Sequence, residues 1–282
     1  MKIIQQKHIL NEALKGYRSQ ERSIGLVPTM GALHEGHESL IRTSLSNNKV
    51  TVVSIFVNPT QFDNKEDLAK YPRTLEIDVK RIHQIDPNIL VFAPSIEEIY
   101  EDDVVSKAFD FDGLENEMEG KHRKGHFDGV GTIVKSLFEI VQPDVAYFGE
   151  KDYQQLMIIK KMVAKLKMPV TVVGCPILRE KNGLAMSSRN ERLSKDIREK
   201  AALIYQTLLE AKQRFDKNSI LEVLEWVKNQ FNTFEDFDLE YIEISNAETL
   251  KPAKYKLERQ KYRIFIAVYA GNIRLIDNLA LN

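Results

Sequence analysis

Five short runs of apolar and β-branched residues punctuate the first part of the chain: Ile24–Val27, Val50–Val57, Ile89–Phe92, Val145–Phe148 and Val170–Val173. Several are apolar at consecutive rather than alternate positions, as strands buried on both faces of a parallel sheet should be. Between them, Glu38–Ser46, Leu75–Ile85, Val130–Val141 and Gln154–Leu166 repeat apolar residues at spacings of three and four, the helical period. This alternation, from Lys2 to about Pro176, predicts crossover units and an α/β, Rossmann-like parallel sheet.

After Cys175-Pro176 the pattern changes. Ser194 is placed to cap a long charged amphipathic helix reaching about Phe215, and Ser219 a second one to about Phe231. Strand-like alternation follows at Asp238–Ile244 and Tyr262–Tyr269, with a last short piece at Ile273–Ile276. Helices followed by strands predict a smaller α+β unit, so the expected domains are residues 1–176 and 177–282. No Gly/Ser linker, internal repeat or low-complexity tract marks the chain.

Composition narrows the class. With 282 residues there is chain for two domains and a sizeable core, which excludes a disulfide-stapled miniprotein. Forty Lys+Arg against 41 Asp+Glu leave a net charge of −1, so no global field draws nucleic acid or an anionic membrane. A single cysteine, Cys175, allows no intrachain disulfide, and no apolar run approaches the ~20 residues that span a bilayer. The beginning of the chain lacks the apolar core of a signal peptide. The expectation is a protein of a reducing compartment, most simply the cytoplasm.

The first segment with chemistry is Val27-Pro28-Thr29-Met30-Gly31-Ala32-Leu33-His34-Glu35-Gly36-His37, after a strand and before a helix. Open α/β sheets bind ligands there, outside the carboxyl ends of their strands. Gly31 and Gly36 let the backbone approach a ligand, and the N–H groups of a first helical turn favour anionic oxygens. His34 and His37, three apart, share a helix face and can both donate to one polyphosphate, stabilising charge that grows during attack on phosphorus. The plain alternative is a glycine turn with two surface histidines; a zinc site is disfavoured by the lack of a nearby Cys or third His.

Four other segments follow. Phe56-Val57-Asn58-Pro59-Thr60-Gln61-Phe62 offers two amides, Asn58 and Gln61, suited to a small ligand with hydroxyls and a carboxylate, although an ordinary Asn-Pro turn explains it equally well. Gly120–Gly129, with Arg123, is the densest positive stretch, sized for one carboxylate or phosphate and too poor in aromatics for a nucleic-acid surface. Phe148–Gln155 puts Lys151 and Asp152, a phosphate charge and a metal-binding carboxylate, at a strand end. Arg179–Asn190 brings Ser187, Ser188 and Arg189, a phosphate-clamping set, to the domain boundary, where a domain movement can open and shut it. Surface loops and surface ion pairs remain the plain readings of the last three. P-loop and G-x-G-x-x-G fingerprints are absent.

Taken in order, these segments resemble the pantothenate synthetase (pantoate–β-alanine ligase) family of the nucleotidyltransferase superfamily, continuously from about Gly25 to Arg192. His34-Glu35-Gly36-His37 is similar to the superfamily's histidine signature and Met186-Ser187-Ser188-Arg189 to its second signature. Such histidine signatures are shared by many adenylyltransferases; PTMGALHEGH together with FVNPTQF, GHFDGV, FGEKDYQQL and MSSRN is far more specific. The resemblance implies ATP-dependent condensation of (R)-pantoate with β-alanine through a pantoyl adenylate, with ATP as substrate, Mg²⁺ as cofactor, a homodimer, and no nucleic-acid or membrane partner. It implies ATP contacts from Met30, Gly31, Ala32, Leu33, His34, Glu35, Gly36 and His37, from Gly149, Glu150, Lys151 and Asp152, from the Leu178 backbone, and from Met186, Ser187, Ser188 and Arg189. His37, His34 and Lys151 are implied catalytic, Asp152 metal-proximal, and Gln61, Gln155, Asn58 and Arg123 contacts of pantoate or β-alanine, with the C-terminal unit as a lid. One position departs from the family pattern: Thr60 stands where Met is common, making the wall around pantoate less apolar. Two competing readings remain, an adenylyltransferase that stops after nucleotidyl transfer and a nucleotide-binding regulator or RNA-interaction module, the RNA version opposed by the balanced charge.

Overall fold

The computed structural model describes residues 3–62, 68–69, 71–101 and 103–282; Lys2, where the alternation begins, lies outside them. The chain divides into two compact units, Met1–Glu150 with Gln154–Pro176, and Lys151–Tyr153 with Ile177–Asn282.

The first unit is built on six parallel strands, β1 (Ile3–Ile4), β2 (Ile24–Thr29), β3 (Val50–Ile55), β4 (Leu90–Phe92), β5 (Val145–Gly149) and β6 (Thr171–Cys175), in the order β1-β4-β3-β2-β5-β6. All six residues of β3 are buried, which explains its unbroken apolar run. From β2 the chain steps outward through β3 to β4, and from β5 it steps the other way to β6, so the order reverses between β2 and β5. That reversal is the crevice where open α/β sheets hold their ligands, and β2 carries the histidine segment directly into it.

The helix Glu35–Asn47 starts three residues before its predicted span, and Leu75–Ile85 spans the predicted residues. Glu35–Asn47 lies close on β2: a Cβ on Gly25 would fall 2.2 Å from Ser44 Oγ and 2.6 Å from Asn48 Nδ2, so only glycine admits the contact. The run beginning at Val50 leaves the strand at Ile55 instead of Val57, because Pro59 opens a short 3₁₀ turn, Pro59–Gln61. Elements with no counterpart in the periodicity include the two-residue β1, the helix Lys7–Arg18, whose buried stripe is only Leu10 and Leu14, and the short helices Ile96–Tyr100 and Met118–His122.

In the second unit the helices Lys195–Lys200, Ala202–Phe215 and Ile220–Phe231 accompany an antiparallel sheet, β7 (Phe237–Asn246), β8 (Tyr262–Ala270) and β9 (Ile273–Ala280). Its core includes Leu208, Val223, Val227, Ile264, Ile266 and Val268. Ser194 and Ser219 do cap, accepting from Ile197 N and Glu222 N. The single long helix expected after Ser194 is instead two, because at buried Ala201 the ladder tightens to a three-residue bond, Ile204 N to Ala201 O at 3.1 Å.

The helix His126–Val141 begins four residues before the predicted Val130, after Gly125 at φ +75°. Gly129 and Gly131 in its first turns hide its period and also serve it: a Cβ on Gly129 would lie 2.4 Å from Thr60 O, so this glycine lets the helix meet the 3₁₀ turn backbone to backbone. Gly→Ala inside a helix ordinarily stabilises by about 1 kcal/mol. At Gly129 the forced separation outweighs that gain, and Gly129→Ala should lower stability by about 1–3 kcal/mol in urea denaturation.

Candidate functional site

The turn leaving β2 is held by a side chain distant in sequence. Asp78, on the helix Leu75–Ile85 and 2% exposed, accepts from Ala32 N at 3.0 Å, Leu33 N at 2.8 Å and Thr74 Oγ1 at 3.0 Å. Thr29 Oγ1 donates to Ser54 O at 2.8 Å and accepts from Gly31 N at 3.2 Å, tying the same turn to β3. Gly31 has φ +80° and Ala32 φ +50°, the second uncommon for a residue with a Cβ. The three oxygens of Asp78 and Thr29 are what keep this conformation populated. The sequence offers no motif for Asp78; an acidic residue one helical turn after Thr74 reads as surface charge.

The turn delivers His34 to the N-cap of Glu35–Asn47. His34 Nδ1 accepts from Gly36 N at 3.1 Å, and His37 Nδ1 accepts from His34 N at 3.3 Å, a reciprocal cap made by two imidazoles. Their ring centroids are 4.1 Å apart. With each Nδ1 an acceptor, the neutral ring carries its hydrogen on Nε2, so both histidines are oriented Nε2–H donors at a helix N-terminus. Met30, Gly31, Ala32, Leu33, Glu35 and Gly36 complete this segment, Glu35 being exposed.

A second set meets it. Gln61 Nε2 lies 3.1 Å from Met30 Sδ, while its Oε1 accepts from Asn58 Nδ2 at 3.1 Å. Asn58 is fully buried and Gln61 9% exposed. The Gln61 carbonyl accepts from His126 Nδ1 at 2.8 Å and from Arg123 at 3.3 Å, and since a carbonyl cannot donate, the hydrogen sits on Nδ1 and His126 Nε2 accepts from Arg123, 3.3 Å away. Met30, Asn58, Gln61 and Arg123 are thus one connected cluster, to which His126, the capping-turn neighbour of Arg123, belongs without having been singled out by the sequence. Gln155 lies half-buried on the helix Tyr153–Leu166. Its neighbour Gln154 is structural, donating to Leu114 O at 2.8 Å and Glu117 O at 2.7 Å and accepting from Glu119 N at 3.0 Å. Gly149 ends β5, and Glu150 begins the following short turn.

The remaining predicted residues belong to the second unit. The Lys151 carbonyl accepts from Asn278 Nδ2 at 2.9 Å, and Lys151 Nζ is 3.8 Å from the carboxylate of Asp152. Leu178 is partly exposed, and its carbonyl accepts from Met186 N at 3.0 Å across a bridge that pairs Arg179 with Ala185. That hairpin is braced by Arg179, bidentate to Asp277 at 2.6 and 3.0 Å with its guanidinium 3.6 Å from the Tyr205 ring centroid. Ser187 caps the 3₁₀ helix Ser188–Arg192, accepting from Arg189 N at 3.3 Å. Buried Asn190 donates to Ala185 O at 3.0 Å and to Glu180, which also binds Arg198 through two nitrogens at 2.9 Å; this carboxylate raises the Arg198 pKa above its ordinary value. Met186, Ser187, Ser188 and Arg189 are therefore carried on a braced hairpin and are themselves half-buried. Among the described residues no three His, Cys, Asp or Glu side chains cluster as a metal site, and no helix is long and apolar enough to cross a membrane.

Comparison with known proteins agrees over the whole chain. The family model for pantoate-beta-alanine ligase matches residues 2–280. The chain is 60% identical to the pantothenate synthetase of Flavobacterium psychrophilum over 95% of each chain, and 53% identical to that of Christiangramia forsetii over the full length of both. In structure it is similar to pantothenate synthetase from Thermus thermophilus, with a TM-score of 0.91 and 39% identity over 100% of this chain and 99% of that one. A structure of pantoate-beta-alanine ligase from Francisella tularensis, complexed with beta-gamma ATP and beta-alanine, matches at a TM-score of 0.80 and 36% identity over 100% and 98% of the two chains.

The Asp78 clamp is open to a direct test. Asp78→Ala strands two backbone N–H groups in a buried turn, and since each orphaned donor costs about 1–3 kcal/mol, it should lower stability by about 2–5 kcal/mol in urea denaturation.

Proposed function

The chain belongs to the pantoate-beta-alanine ligase family, and on that premise we propose how its own residues carry the reaction. The enzyme condenses pantoate with β-alanine at the expense of ATP, giving pantothenate. A carboxylate is a poor acyl donor, so its oxygen first attacks the α-phosphorus of ATP, forming pantoyl adenylate and releasing pyrophosphate. The β-alanine nitrogen then attacks the acyl carbon, the amide C–N bond forms, the C–O bond to AMP breaks with its electron pair leaving on AMP, and the proton of the amine passes to solvent. Neither step needs a covalent bond to the protein; the enzyme supplies alignment, charge neutralisation and exclusion of water.

The observation that carries the residue assignment is the reciprocal imidazole cap, which sets two Nε2–H donors at the carboxyl end of β2. His34 and His37 donate hydrogen bonds from Nε2–H to the phosphates, where negative charge grows on attack, each ring keeping its hydrogen. The backbone from Met30 to Leu33 and the first turn through Glu35 and Gly36 bind the nucleotide with them. Gly149 and Glu150 contribute to the same substrate, Lys151 and Arg189 supply positive charge to the triphosphate, Ser187 and Ser188 supply hydroxyls, and Met186 and the Leu178 backbone contact the nucleotide. Gln61, Gln155 and Asn58 hold pantoate, with Gln61 also reaching β-alanine, while Arg123 offers a fixed charge to a carboxylate or phosphate.

Mg²⁺ suits this donor set, since that ion takes one or two protein carboxylates and completes its shell with phosphate and water. The half-exposed carboxylate of Asp152 would hold it, and the ion would neutralise phosphate charge. We also assign the enzyme to the cytoplasm, in keeping with Cys175, which is buried and unpaired and whose thiol burial pushes above its ordinary pKa, and to a homodimer, which light scattering tests.

The reading is tested by the substrate dependence of AMP release. AMP and an amide should appear only with pantoate, ATP and β-alanine together; ATP–pyrophosphate exchange that runs equally well without pantoate would contradict it. Lys151→Ala should cost about 2–4 kcal/mol of transition-state stabilisation, roughly 10²–10³ in single-turnover adenylation. A loss below about threefold, well under 1 kcal/mol, would remove Lys151 from the phosphate site.

A further inference from the structure

A lysine ammonium sits at the end of a flexible stem, so its placement depends on how firmly the backbone beneath it is held. Lys151 lies in the three-residue 3₁₀ turn Glu150–Asp152, and turns of that kind have hydrogen bonds of poor geometry. β9 supplies the hold. Asn278, 2% exposed, donates from Nδ2 to the Lys151 carbonyl at 2.9 Å, across 127 residues of sequence. Just past the turn, the Tyr153 ring lies 5.9 Å from that of Phe265 and carries the Arg263 guanidinium 3.9 Å over its centroid, and its hydroxyl donates to Ala247 O at 3.1 Å. The tripeptide Lys151–Tyr153 is thus fastened at both ends to the sheet of the second unit.

The Asn278 amide has one arrangement. Its Oδ1 accepts from the buried Arg263 guanidinium in a short hydrogen bond, and its Nδ2 faces the Lys151 carbonyl. A guanidinium only donates and a carbonyl only accepts, so each end of the amide is claimed by a group of fixed polarity. The same strand step holds the other proposed phosphate segment. Asn278 and Asp277 pair with Phe265 and Ile266 of β8, and successive side chains of a strand leave opposite faces. Asn278 therefore shares with Phe265 the face that meets Tyr153, while Asp277 lies on the other face, where it binds Arg179 of the hairpin at 2.6 and 3.0 Å. Two adjacent residues of β9 set the spacing between the turn that carries Lys151 and the hairpin that leads to Met186–Arg189.

We propose that Asn278 is a positioning residue for the adenylation step, holding the Lys151 backbone so that the ammonium is aimed at phosphate in register with Ser187, Ser188 and Arg189. The proposal rests on the assignment of Lys151 to phosphate, and Asn278 acts through Lys151, not on the substrate. The requirement for an amide is specific. Aspartate has nearly the same shape and still accepts from Arg263, yet it has no hydrogen for the Lys151 carbonyl and sets a carboxylate oxygen against it. Fold and placement are therefore separable at one atom.

The test is single-turnover pantoyl-adenylate formation, read as pyrophosphate release without β-alanine at saturating pantoate and ATP. Asn278→Asp should slow this step by about tenfold or more, the scale on which a misaligned group forfeits rate, with a melting temperature near the parent's because Arg263 keeps its acceptor. In a Lys151→Ala background the same change should alter the rate by less than about twofold, since no ammonium is left to misplace. Asn278→Ala, which adds no charge, should repeat both results, and it serves alone if the aspartate variant does not fold. Equal slowing in the two backgrounds would mark an effect that does not pass through Lys151 and would overturn the proposal. So would slowing by aspartate with none by alanine, which would trace the loss to the added charge. If Lys151→Ala itself stays within about threefold of the parent, the Lys151 assignment falls and the role of Asn278 with it. A slow Lys151→Ala beside a parent-like Asn278→Asp overturns the role of Asn278 and leaves the Lys151 assignment standing.

Discussion

The nucleotide segment depends on one buried carboxylate. Asp78 reaches from a neighbouring crossover helix to accept two consecutive backbone N–H groups, those of Ala32 and Leu33. Without those bonds the chain would have little reason to hold a positive φ at Ala32, which has a Cβ. With them, the path from β2 into the helix Glu35–Asn47 is set, and so is the placement of His34 at the N-cap and of His37 one turn later. The close approach at Gly25 then seats that helix on its own strand. The histidine signature is therefore only the visible part of a unit whose anchor lies forty-odd residues downstream.

A common physical device recurs around this unit: polar side chains have their orientation dictated by backbone groups, whose polarity is unambiguous. Backbone N–H groups claim Nδ1 of His34 and His37. The Gln61 carbonyl claims the Nδ1 hydrogen of His126. A buried amide or imidazole with both ends satisfied has one low-energy arrangement, because reversing it sets donor against donor and acceptor against acceptor in a medium that cannot compensate. Catalysis by alignment needs that property. A donor that must reorient during the reaction forfeits the advantage of preorganisation.

Much of this was legible in the sequence, for identifiable reasons. Unbroken apolar runs such as that at Val50 gave parallel strands, and helical spacing located Leu75–Ile85 to the residue. Glycines obscured the start of His126–Val141, because the close contact they allow removes the apolar residues that would have shown the period. The helix Lys7–Arg18 escaped because two buried leucines make too narrow a stripe. In the site, residues within contiguous motifs were visible, His126 of GHFDGV among them though not its bond to the Gln61 carbonyl, while Asp78 was not. Both act through contacts far away in sequence, 45 residues between Asp78 and Leu33 and 65 between His126 and Gln61, and pattern reading along a chain has no access to such pairs.

The net charge of −1 is no obstacle to phosphate binding once the proposed machinery is divided between the two units. The first unit contributes mainly neutral donors, two imidazoles at a helix N-terminus and two buried amides, with Arg123 the cation of its cluster. The second carries Lys151 and Arg189, beside braces such as Arg179–Asp277 and Arg198–Glu180 that consume as much negative charge as positive. Neutral oriented donors favour charge where it develops in the transition state without holding a fully charged ground state in excess, whereas fixed cations bind phosphate in both states. An adenylating enzyme needs both contributions in different proportions at different atoms, and the proposed assignment meets that need with few cations. A whole-chain sum of charge near zero cannot register so local an arrangement.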